Sequence, residues 1–284
     1  MSSFAFLYIK WKSILVRIRF LRIYLPRNDF LVECINFAIS RATPKLYFLA
    51  GFSPRDNNKL YLLSKYSNSE LFQDLFVADK SNYKQKGFFV EFGAMNGFEN
   101  SNTLMLEQQL NWSGILVEPS IKFQKELSSN RKGNRIDNRL VFSVSGQKLL
   151  FNETVDSGLS TIDSFTESDS WNRISKDKYH VTSISLEDLL KEHEAPKQID
   201  YLSIDTEGSE LEILSNFNFS SYEIDIITVE HNYSKSRKKL KNLLEEKGYI
   251  RQYEKLSKWD DWYIHSRIET TKNKRRRSLY KFCI

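Results

Sequence analysis

The sequence predicts an α/β fold on a mostly parallel, Rossmann-like sheet, with a helical extension at its N-terminus. Three observations predict it. From Gly87 onward, short apolar runs alternate with segments of helical spacing, the texture of βαβ units. The first apolar run, Gly87–Phe92, passes into a loop carrying Gly93 and Gly97. The second, Gly114–Val117, ends in the acid Glu118, about where Rossmann-like folds contact a ribose.

Composition sets the outer limits. The chain has 284 residues, 40% hydrophobic and 27% charged, which suits a globular protein with a sizeable core and excludes wholesale disorder. No apolar run is long enough to span a bilayer. Cys34 and Cys283 stand far apart, with neither disulfide nor zinc spacing, so a reducing compartment and a cytoplasmic location are expected. The net charge of +6 is unevenly spread. Residues 1–28 and 267–284 together carry +12, which leaves 29–266 at −6. A working domain of that sign is a poor match for nucleic acid.

Three regions are expected: a helical extension over 1–64, a central domain over 65–266 and a basic tail over 267–284. Residues 4–25 alternate apolar and basic side chains at roughly helical spacing. A helix packed on the body is the favoured reading, and a basic amphipathic helix on an anionic membrane surface is the other, giving a peripheral membrane contact through the basic ends. Ser69 is expected to cap a helix over Glu70–Ala78. After strand Gly87–Phe92 come helix Thr103–Gln109, strand Gly114–Val117, helix Ile121–Ser129 and a third strand, Leu140–Val144. Residues 145–180 read as polar loop. Helix Ser185–Glu192, strand Ile199–Ile204, helix Ser209–Leu214 and strand Ile224–Val229 follow. Helix Ser236–Lys247 stops at Gly248. Tyr249–Leu256 and Trp259–Ile264 read as a closing hairpin.

The loop after the first strand lies where open α/β sheets bind ligands, and glycine lets backbone approach a ligand closely. No G-x-G-x-x-G is present, which argues against a nicotinamide cofactor. Glu91, inside the strand, can accept hydrogen bonds from a ligand amino group or from loop amides. Glu118 can accept both hydroxyls of a diol.

Several ordered motifs then carry a family resemblance. They are Leu71–Phe76, Val90–Gly97, Ser101–Thr103, Trp112–Pro119, Asn130-Arg131, Ile199–Glu210 and Val229–Asn232. Over about residues 65–265 the chain resembles the FkbM family of S-adenosylmethionine-dependent methyltransferases. The resemblance implies a class I methyltransferase fold, with a seven-stranded sheet containing one antiparallel strand, and O-methyl transfer as the usual chemistry. It implies S-adenosylmethionine contacts from Glu91, Gly93, Ala94, Asn96, Gly97, Asn102, Thr103, Glu118, Pro119 and Ser143. The short Ser157–Thr161 segment is expected to face cofactor or substrate.

The strand over 199–205 ends in Asp205-Thr206-Glu207, and the strand over 224–230 ends in Glu230-His231. If the two strands are neighbours, Asp205, Glu207, Glu230 and His231 converge as the catalytic group. Three roles are open for them. His231 or an acid serves as general base. Asp205, Glu230 and His231 hold a divalent ion such as Mg²⁺. Or the acids only cap helices. The expected substrate is a small hydroxylated acceptor, a sugar or glycan precursor. The alternative is a non-catalytic Rossmann-like module in a glycan-assembly or membrane-associated complex.

Overall fold

The structure, a computed structural model, describes residues 57–268 apart from Lys255. The expected helix over 4–25 and the basic tail beyond 268 lie outside the described residues. No helix among the described residues is long and apolar enough to cross a membrane.

Two short helices come first, α1 (Asn57–Leu63) and α2 (Gln73–Lys80). The second starts three residues later than expected. Phe72 adopts a left-handed backbone (φ 65°), which blocks an earlier helical turn. Ser69 still contributes, because its Oγ accepts from the Asp74 amide at 3.3 Å.

Strand β1 (Phe88–Phe92) is buried at all five positions. Full burial is what a parallel strand covered on both faces requires. Then follow α3 (Leu104–Leu110), β2 (Ser113–Val117), α4 (Ile121–Asn130) and β3 (Arg135–Asp137). After a small second sheet come α5 (Leu186–Glu192), β8 (Gln198–Ile204), α6 (Glu210–Ser215) and β9 (Glu223–Glu230). The chain then forms α7 (Arg237–Glu246), β10 (Tyr249–Gln252) and β11 (Asp260–His265). The main sheet has seven strands in the order β10-β11-β9-β8-β1-β2-β3. β11 runs antiparallel to both its neighbours, and the other pairings are parallel. This is the mostly parallel sheet with one reversed strand that the sequence led us to expect. Val90, Ile115, Leu202 and Ile227 from the strands meet Leu189 of α5, Ile213 of α6 and Leu240 and Leu244 of α7 in one core. The i, i+4 pair on α7 gives that helix its apolar stripe.

Two expectations fail around residue 140. Leu140–Val144 is not the third strand of the main sheet, since the three-residue β3 takes that edge. Residues 140–142 form β4, which belongs to a separate four-stranded sheet with β5 (Lys148–Thr154), β6 (Thr161–Ile162) and β7 (Ser175–Ser185), in the order β4-β7-β5-β6. Much of the expected loop over 145–180 is therefore strand. The first six residues of β7 are exposed or half-buried. Backbone pairing with β5 holds them, so their side chains need no apolar pattern. A small cluster of Leu140, Phe151 and Ile162 fills the space beneath.

Candidate active site

The carboxyl ends of β1, β2, β8 and β9 surround a cleft made of two cavities. The smaller, about 70 Å³, is lined by Phe92, Val117, Pro119, Leu140, Val141, Phe151 and Ile162, with Glu118, Ser157, Ser160, Asp205, Thr206, Glu207 and Ser209 as its polar residues. The larger, about 280 Å³, is lined by eight carboxylate side chains and, among the described residues, by no Lys, Arg or His. Gly93, Met95, Gly158, Asp205 and Glu207 line both, so the cavities meet there.

Gly93 makes this junction sterically feasible. Its φ is +73°, and an added Cβ would stand 2.1 Å from the carbonyl oxygen of Asp205. Its amide and that of Ala94 donate to Val117 O at 3.1 and 3.2 Å, which ties the loop to β2.

Glu118 lies at the tip of β2 and is 5% exposed. Its Oε2 accepts from the Met95 amide and its Oε1 from the Ser120 amide, both at 2.8 Å. Burial pushes its carboxyl up to about 7, against the lowering effect of those two amides. Each oxygen keeps a lone pair for a ligand hydroxyl.

The remaining cofactor candidates divide. Asn102 lines the larger cavity, and its amide nitrogen donates to Ser203 Oγ at 3.0 Å. Glu91 also borders that cavity, but its oxygens are committed within the protein. They accept from the Asn102 amide at 2.7 Å and from the hydroxyls of Thr103 and Ser101, with the Arg131 guanidinium 3.8 Å away. Of the two partners the sequence left open, the loop amide of Asn102 is present in the structure.

Ala94, Asn96, Gly97 and Thr103 line neither cavity, and they shape the loop instead. Asn96 Oδ1 accepts from the amides of Phe98 and Glu99. Gly97 (φ +73°) leaves room for Arg131, whose Cγ an added Cβ would meet at 2.6 Å. Thr103 Oγ1 accepts from Arg131 Nη2 at 2.9 Å. Ser143 also misses the cleft. It follows the end of β4, and Leu140 and Val141 line the wall there. The Ser157–Thr161 segment does reach the site, since Ser157, Gly158 and Ser160 line the smaller cavity.

Asp205, Glu207 and Glu230 converge, and one carboxylate oxygen from each lies within 4.8 Å of the others. Burial raises all three carboxyls above their usual range. The neighbouring carboxylates add to this: Asp260 on Asp205, and Asp205 on both Glu207 and Glu230. Of the three, only Glu207 has a cation in contact among the described residues. Arg173 Nη2 donates to its Oε2 at 2.5 Å, and Asn232 Nδ2 to the same oxygen at 3.2 Å.

His231 is the exception in the expected catalytic group. Its side chain is fully buried and lines neither cavity. Nδ1 accepts from the Tyr233 amide at 2.9 Å, and Nε2 lies 3.3 Å from Asp261 Oδ1. Arg237 and Arg251 pair with the same Asp261 oxygen. The cause is the alternation of extended backbone: with Glu230 facing the cleft, the next side chain turns away. The convergent carboxylate set is thus Asp205, Glu207 and Glu230, with Glu207 in the place expected for His231.

Sequence reasoning missed Asp260, Arg173 and Trp171. Asp260 was legible through register, since β11 pairs it directly with Glu230. Arg173 and Trp171 sit in a polar stretch with no periodicity to mark them.

Residues 91–258, more than half of the chain, match the Methyltransferase FkbM domain. No curated protein sequence is significantly similar to this chain. Among solved structures, the chain is similar to a precorrin-6y C5,15-methyltransferase from Geobacter metallireducens, at 11% identity over 63% of this chain and 71% of that one, with a TM-score of 0.37. It is also similar to a fibrillarin pre-rRNA processing protein from Methanococcus jannaschii, at 10% identity over 64% and 66%, with a TM-score of 0.34. Both likenesses are too distant to inform the site or the acceptor. The domain match runs from the end of β1 to the approach to β11 and includes Asp205, Glu207 and Glu230, so the chain belongs to the FkbM methyltransferase family and is an S-adenosylmethionine-dependent methyltransferase.

Proposed function

We propose that the protein transfers a methyl group to a hydroxyl of a small acceptor, a sugar or glycan precursor. The observation that carries this reading is the position of Asp205, at the join of an apolar cavity and a carboxylate-lined one.

The residues of the smaller cavity fit the adenosine half of S-adenosylmethionine. Phe92, Val117, Leu140 and Ile162 offer an apolar slot for a base, and Glu118 offers two acceptor oxygens for the ribose diol. When bound, this cofactor supplies an electrophilic methyl group on a sulfonium centre. The carboxylates at the join favour positive charge there and orient the acceptor.

Asp205 is our choice for the base. Glu207 is engaged by Arg173 and Asn232, whereas the described partner of the Asp205 side chain is Glu230. Burial and the neighbouring Asp260 push the Asp205 carboxyl up to about 8, so its ionised form, which gains population as pH rises toward that value, is a stronger base than an ordinary carboxylate. Asp205 would take that proton as the acceptor oxygen gains the methyl group.

The test is a labelled-methyl transfer assay against a panel of sugars and glycan precursors, with the product methyl located by NMR. An O-methyl product, and a hundredfold or greater loss in Asp205→Asn, support the reading. Methyl on nitrogen or carbon overturns it.

One observation favours a second reading, in which Asp205, Glu207 and Glu230 hold a divalent ion such as Mg²⁺. Three carboxylates this close, with raised carboxyls, repel one another in the absence of a cation, and oxygen donors suit Mg²⁺. The ion would polarise the acceptor hydroxyl. Loss of activity on chelation and its return with Mg²⁺ would support this version, and full activity in chelator would remove it.

A further inference from the structure

The larger cavity has an aromatic wall that the transfer chemistry leaves without a role. Trp171 and Trp259 both line it, from separate segments of the chain. Trp171 is 51% exposed, a high value for an indole. The loop that carries it is firmly anchored. Arg173, with a fully buried side chain, donates to both oxygens of Asp169 at 2.7 Å and to Glu207 at 2.5 Å. The Trp171 amide donates to Asp169 Oδ1 at 2.8 Å. An exposed indole held on an ion-paired loop is a binding surface ready for its ligand. Trp259 already takes a cation at its ring, with Lys258 Nζ 4.8 Å from the centroid.

The polar side of the cavity is made of acceptors. Eight carboxylates line it, with no basic side chain among the described residues. Asn102, 9% exposed, keeps an amide oxygen with no hydrogen-bond partner among the described residues. The unpartnered Asn102 oxygen and the ionised carboxylates favour a ligand that brings donors, either hydroxyls or an ammonium, and hydroxyls can also accept from a protonated carboxyl. An anionic group would meet acidic side chains at close range, and Arg173 and Arg131 behind the wall are already engaged by Glu207 and Glu91. A sugar ring meets these demands: its C–H face lies on an indole and its edge hydroxyls reach the carboxylates. An amino substituent adds charge complementarity and a cation–π contact.

We propose that Trp171 and Trp259 form the acceptor subsite, and that it takes a sugar ring that is neutral or, preferably, amino-substituted, with no phosphate or carboxylate inside the cleft. This deepens the hydroxyl-transfer reading and rests on it.

The test uses the full chain saturated with S-adenosylhomocysteine. Three probes share one ring: glucosamine, methyl glucoside and glucose 6-phosphate. Binding is followed by saturation-transfer NMR titration. The expected order is glucosamine tightest, methyl glucoside weaker, and glucose 6-phosphate at least tenfold weaker than methyl glucoside. Trp171→Ala should weaken glucosamine at least tenfold and leave S-adenosylhomocysteine binding unchanged, which also shows that the variant is folded. Trp171→Phe should keep most of the affinity. Glucose 6-phosphate binding as well as glucosamine, an unaffected Trp171→Ala, or no binding by any probe overturns the proposal. If the rings bind as expected but labelled methyl never appears on oxygen, the subsite stands and the hydroxyl-transfer reading falls.

Discussion

Glu118→Gln tests the cofactor side with little change in shape. In the native protein each carboxylate oxygen accepts one backbone amide, from Met95 and from Ser120, at 2.8 Å. A glutamine presents one oxygen and one NH₂, so one of those amides would face another donor. That orphaned amide should cost about 1–3 kcal/mol of folding stability. The ligand would lose one of two hydrogen bonds to a charged group, each about 1.5–3 kcal/mol, so affinity should fall about 10–150-fold. The wild type should also bind more tightly as pH rises from 6 to 8. Its carboxyl, held at about 7 by burial, ionises in that window, and the carboxylate is the better diol acceptor. The glutamine variant should show no such pH dependence. Calorimetric titration with S-adenosylhomocysteine at pH 6, 7 and 8 reads both effects. Equal dissociation constants for the two proteins, or a wild-type affinity that does not change with pH, would refute the diol role.

Three further outcomes are expected. Arg173→Met strips the guanidinium from two buried acids, Asp169 and Glu207, and should cost about 3–5 kcal/mol in denaturant unfolding; a loss below ~1 kcal/mol would show that the clamp matters little. His231→Ala should lower stability while turnover of the folded enzyme stays within a few-fold, and a hundredfold drop in turnover at unchanged stability would return His231 to the chemistry. Asp205, Glu207, Glu230 and Asp260 have carboxyls raised on folding, so their stabilisation is complete below the unfolded carboxylate range and is lost as pH climbs through the raised values. The thermal midpoint should therefore fall between pH 5 and 9; a loss of ~2 kcal/mol lowers it ~4–8 °C, and a midpoint that rises over that range would contradict the assignment.

The parallel core was legible because burial imposes composition. Phe88–Phe92, Ile199–Ile204 and Ile224–Val229 are covered on both faces and read as mostly apolar runs, interrupted by Glu91, by Asp200 and Ser203, and by Asp225 and Thr228. β3 was not legible, since three edge residues, Arg135, Ile136 and Asp137, carry no pattern. The β5–β7 pair was missed because its polar residues face water and its stability comes from backbone pairing. In the site, strand-tip acids were readable from position alone, because a strand end at the sheet's carboxyl edge has one place to be. Which way each side chain turns needed the register: Glu230 faces the cleft, and His231 faces Asp261. Gly97 and Thr103 carried the motif for another reason, since they seat Arg131 beneath the loop.

The small sheet is built from one uninterrupted stretch of chain, entered after β3 and left at α5. Its contribution to the larger cavity comes from the excursion between β5 and β7, which carries Asp156, Leu159 and Trp171. Lengthening a surface loop is inexpensive: each doubling adds only about 0.6 kcal/mol of closure entropy. Descendants of this chain can therefore recast that excursion, and with it one wall of the larger cavity, without disturbing the register of the seven main strands or the Glu118 contacts. Diversification of acceptors across relatives should concentrate in this insert, while the ends of β1 and β2 change slowly.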